Sequence, residues 1–108
     1  MPRKANVGGF QVAPAATPVA PEHDLLAKLL AAQFALQNND LQAGAQGYVD
    51  AAALSPDPAV SEEAARLALS VKQWALASRA LARWQQLAPK DAGIAQVRAW
   101  IALGEKRS

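Results

Sequence analysis

The chain has 108 residues, 52% hydrophobic and 6% aromatic, with one histidine and no cysteine to form a disulfide framework or a thiolate metal site. Twenty-seven of the 56 hydrophobic residues are alanine, the best helix former and a poor strand residue, so one small all-α domain is expected. The formal charge of +2 does not mark a nucleic-acid binder, because between Ala5 and Gly104 seven basic residues stand against eight acidic ones, where phosphate recognition needs a basic stripe.

Residues 1–21 form a proline-, alanine- and valine-rich tract without helical or strand period. Such a tract buries too little apolar surface to offset its chain entropy, so a flexible arm or linker is expected. Its prolines and glycines also rule out a helical membrane span there, and no leucine-rich run comes after the basic Arg3-Lys4 to suggest a secretory signal. Localisation stays open.

Helices are predicted over 22–38, 41–54, 58–72, 74–88 and 91–104, with 105–108 left as a charged tail. Asn38-Asn39-Asp40 ends the first helix and caps the second, since asparagine tolerates the left-handed conformation and an aspartate accepts free N–H groups. Asp57-Pro58 starts the third helix, with proline at the first helical position. Pro56 and Pro89 each close a segment, and Asp91 caps the fifth helix. Connections this short make the helices antiparallel neighbours.

A shift of 33 residues overlays the helix pairs. Phe34 falls on Leu67, Ala35 on Ala68, Asn39-Asp40-Leu41 on Lys72-Gln73-Trp74, Gly44 on Ala77, Leu54 on Leu87 and Pro56 on Pro89. A third copy begins with Val97 over Ala64, Trp100 over Leu67 and Ile101 over Ala68. A period in the thirties of helix–turn–helix units predicts a solenoid. Small residues such as Gly44 and Gly47 predict close approach of paired helices. Phe34, Tyr48, Leu54, Leu67, Trp74, Leu81, Trp84 and Leu87 are expected to fill the space between units.

These residues resemble the tetratricopeptide repeat family over about 24–104. Ala32 and Ala65 stand at the small position of the first helix, Asn39-Asp40-Leu41 at the turn, and Gly44, Tyr48, Ala51 and Pro56 at the second-helix positions. Lys28 and Ser61 replace the family's early tryptophan, and Trp84 replaces a usual alanine. The resemblance implies a right-handed helical-repeat solenoid of antiparallel pairs, two full units plus one extra helix. It also implies a concave groove for a peptide or partner helix, with Leu29, Gln33, Leu36, Glu62, Arg66 and Leu69 facing it, joined by Ala95 and Ala99.

No catalytic constellation is expected. His23 has no second histidine or cysteine to share a metal with, and the serines have no histidine partner within the fold. No glycine-rich phosphate loop occurs, so neither a metal nor a cofactor is predicted. Ile94, Val97, Trp100 and Ile101 make the last helix apolar with no later helix to cover it. They are expected as an exposed interface patch for a partner, for a second copy of the chain, or for further repeats.

The function this points to is a non-catalytic interaction module that binds a protein or peptide. Two other readings stand beside it: a structural fragment of a longer solenoid whose binding surface lies elsewhere, and a small helical-bundle regulator acting by dimerisation.

Overall fold

The computed structural model describes residues 21–107. The arm expected over 1–21 lies, apart from Pro21, outside the described residues. The described chain is all-α, five helices packed in adjacent pairs: α1 (Pro21–Gln37), α2 (Leu41–Leu54), α3 (Pro58–Ser70), α4 (Trp74–Leu87) and α5 (Gly93–Arg107). Each helix packs on the next, α2 also touches α4, and α3 touches α5. No helix among the described residues is long and apolar enough to cross a membrane.

The caps explain the boundaries. Asp40 Oδ1 accepts from Ala43 N at 3.2 Å and Asp57 Oδ1 from Ala59 N at 2.9 Å, each satisfying a free N–H at a helix start. α3 ends two residues before the expected 72 because Lys72 takes a positive φ of 60°. α5 starts at Gly93 rather than 91, since Asp91 stays outside as the cap and accepts from Gly93 N at 2.9 Å. At its other end α5 runs on through Glu105, Lys106 and Arg107.

The 33-residue shift reappears in the backbone. Asn39 and Lys72 both have a positive φ, 64° and 60°. Asp40 N donates to Ala35 O at 2.8 Å and Asn39 N to Leu36 O at 3.0 Å; Gln73 N donates to Ala68 O at 2.9 Å and Lys72 N to Leu69 O at 3.0 Å. These are two copies of one helix-ending motif, in which a left-handed residue and its successor both turn their N–H groups back onto the last turn.

The core is built mostly of methyl groups. Ala32, Ala64, Ala65, Ala68, Ala77 and Ala80 are all buried. A Cβ added at Gly47 would stand 2.9 Å from Ala32 Cβ, so the glycine sets how closely α1 and α2 approach. The larger buried residues gather further along the chain: Leu81, Trp84, Ile94, Val97 and Ile101. Trp84 Nε1 donates to Asp91 Oδ2 at 3.1 Å, so the one carboxylate both holds the indole and caps α5.

Two of the residues expected between the units are not there. Phe34 is 67% exposed and Leu54 39% exposed. Leu81 and Trp84 are buried as expected, and Tyr48, Leu67, Trp74 and Leu87 are half-buried. Phe34 fails because a helix's covered sides are fixed by its neighbours: α1 spends its covered side on Ala32 and Leu36 against α2, which leaves Phe34 pointing away.

Candidate protein-interaction surface

The six residues expected in a groove lie on α1 and α3. Leu29 and Leu36 of α1 and Leu69 of α3 are half-buried. Leu36 reaches Gly44, where a Cβ would collide with its side chain, and Leu69 packs against the core. Gln33 Nε2 donates to Tyr48 Oη at 3.3 Å. Arg66 Nη2 pairs with Glu62 Oε2 at 3.1 Å along α3 itself, both side chains 40% exposed. A solvated pair of this spacing contributes about 0.3–0.5 kcal/mol. Ala95 and Ala99 are exposed on α5.

The patch expected on α5 needs correction in three of its four members. Ile94, Val97 and Ile101 are buried, 33 residues after the buried Ser61, Ala64 and Ala68. One side of α5 is therefore covered by α4, and these three residues enter the same core as Leu81 and Trp84. Trp100 remains exposed, with Leu103 one turn on. Nor is the uncovered side of α5 apolar throughout. At the register position of buried Ala32 and Ala65 it carries exposed Arg98, whose Nη2 donates to Gln85 Oε1 at 2.8 Å.

The larger apolar surface lies on α1, outside the expected groove. Leu26, Leu30 and Phe34 are 54%, 58% and 67% exposed, and their i, i+4, i+8 spacing puts them on one stripe of the helix. Leu67 of α3 and Trp100 of α5 occupy the register position of Phe34, half-buried and exposed respectively. The signal for this stripe is present in the sequence. In α1 the covered line is made of small Ala32 and the leucines around it, so a second line of large apolar residues at the same spacing has to face elsewhere. Overlay at 33 residues matches Phe34, Leu67 and Trp100, but matching position does not say which side of the helix is covered.

Among the described residues no group of three His, Cys, Asp or Glu side chains could hold a metal ion. Asp50 and Arg79 form a second exposed ion pair at 3.7 Å. The α1 stripe offers apolar area, aliphatic and aromatic side chains exposed along one helix. Compared with known proteins, the chain matches no protein-family model, no curated protein and no solved structure.

Proposed function

We propose that the chain is a non-catalytic interaction module of tetratricopeptide-like helix pairs, which binds another protein through the outward face of α1. The observation that carries this reading is the stripe of Leu26, Leu30 and Phe34, each more than half exposed. Large apolar residues aligned in this way are costly to leave in water, and contiguous ones mark contact surfaces. The stripe spans eight residues of helix, about 12 Å at 1.5 Å per residue. That suits the apolar ridge of one partner helix, packed ridge into groove. Covering the remaining exposed part of each side chain contributes roughly 1–2 kcal/mol. The partner gains affinity chiefly from buried area.

The test is site-specific photo-crosslinking in the source cell, with benzoyl-phenylalanine in place of Phe34 and, as a control, in place of exposed Ala82. The expected result is an adduct with a second polypeptide from position 34, absent from the control and lost when Leu30→Asp is added. Crosslinks from position 34 that join only residues of the same chain would contradict the reading.

A further inference from the structure

We propose that the corner where the α3–α4 turn meets the last turns of α5 is a separate docking site for an acidic peptide segment, one that inserts an aromatic or large aliphatic side chain flanked by carboxylates. The corner is a cleft of about 400 Å³ lined by Lys72, Trp74, Trp100, Leu103, Gly104 and Arg107. Its body is made of two indoles and a leucine, and its charged groups are an ammonium and a guanidinium. No carboxylate is among these lining residues. Glu105, the nearest acid in sequence, lines a different cleft together with Ser78, Gln85 and Arg98. The whole chain carries eleven basic and nine acidic residues, so a lining with two cations and no carboxylate is a local feature.

Two choices that local folding preferences disfavour meet at this cleft. Lys72 adopts a φ of 60°, a conformation that glycine or asparagine adopts more readily. The matching turn has Asn39 there, so the turn does not require lysine. Gly104 lies inside α5, where alanine is preferred. A Cβ at this position would stand 2.5 Å from Trp74 Cη2 and 2.6 Å from Cζ2 and Cζ3. The glycine thus lets the indole lie against the α5 backbone and floor the cleft. Trp100, 43% exposed, lines the cleft beside them. Departures from local preference that converge on one place are expected at functional or strained sites.

The chemistry selects the occupant. Indole faces hold aromatic and aliphatic anchors, the residue types that dominate contact energetics. Two cations beside them favour approach of an acidic segment and penalise a basic one. The site shares no residue with the α1 stripe, so either surface can fail without the other.

Fluorescence anisotropy of a labelled peptide, Glu-Asp-Phe-Leu-Asp-Glu, titrated with the full chain tests the proposal. The expected result is saturable binding that weakens as salt rises. Replacing the peptide's acids by lysine, or its Phe-Leu by Ser-Ser, abolishes it. Lys72→Asn and Arg107→Gln each weaken it by roughly fivefold, the upper end for one exposed ion pair, and Trp100→Ala by at least as much, since aromatic anchors carry the larger share of contact energy. Lys72→Asn installs the residue that makes the same turn at position 39, so the fold is retained, and circular dichroism melts verify this for all three. The proposal is overturned if the peptide does not bind up to millimolar protein, if the lysine peptide binds equally, or if the folded variants bind as the parent does. Tighter binding of phosphatidylserine vesicles or of single-stranded DNA than of the peptide overturns it in favour of another anion.

Discussion

Arg83 ties the first helix pair to the second through main-chain carbonyls. Its Nε donates to Ala52 O at 3.1 Å and its Nη2 to Ser55 O at 2.9 Å, while Nη1 reaches Gln86 Oε1 at 3.4 Å. The last carbonyls of a helix have no partner within it and carry the negative end of its dipole. A planar, permanently charged fork on α4 thus satisfies the end of α2. Arg83→Ala is expected to cost about 1.5–3 kcal/mol, the range for hydrogen bonds to a charged group, read as a lower urea midpoint at unchanged slope. Arg83→Lys should recover less than half of this, because one ammonium cannot reproduce the fork. A loss below about 0.5 kcal/mol, the scale of an ordinary surface substitution, would show that the carbonyls are as well served by water. Nothing in the spacing of the sequence singles out this arginine: its partners lie 31 and 28 residues back and are backbone atoms.

The two helix-pair turns are alike in conformation and unlike in chemistry. Asp40 before α2 has φ −91° and ψ 81°, and its side chain caps Ala43. Gln73 before α4 has φ −94° and ψ 81° and makes no side-chain cap. Gln73→Asp is therefore expected to stabilise the protein by about 1 kcal/mol, the usual contribution of an aspartate N-cap, measured as a raised thermal midpoint. An unchanged or lowered midpoint would mean that the matching backbone does not bring a carboxylate to the α4 start. Helix number, order and most ends are legible in the sequence, because they rest on short-range chemistry: Asp57-Pro58, Asn39-Asp40 and Pro89 act within a turn of themselves. The sides each helix buries are less legible. The repeat pattern puts Phe34 between units and Ile94 on an open patch, the opposite of the environments they occupy, since coverage depends on which neighbours flank a helix and not on its own period. The apolar stripe on α1 is readable as spacing and unreadable as exposure. The cleft at Trp74 and Trp100 joins residues from two helices and a turn, so no contiguous motif announces it.

The molecule as a whole is lined with methyl groups inside and carries much of its bulk outside. Among the described residues nine of the fifteen buried hydrophobic ones are alanines, whereas Leu26, Leu30, Phe34, Leu41, Leu54, Trp100 and Leu103 are exposed. Alanine contacts bring helix backbones close but remove little apolar area each, and the large side chains just named stay in solvent. We propose that this distribution reflects two like helix pairs stacked with a fifth helix, the same turn being made at Asn39 and at Lys72. A solution structure of the full chain by nuclear magnetic resonance tests it most directly. The expected result is that residues 31–56 superpose on 64–89, with left-handed residues at 39 and 72 and no long-range contact from the Phe34 ring to the helical core. Two hairpins that do not superpose, or a Phe34 ring packed among the buried alanines, would contradict it.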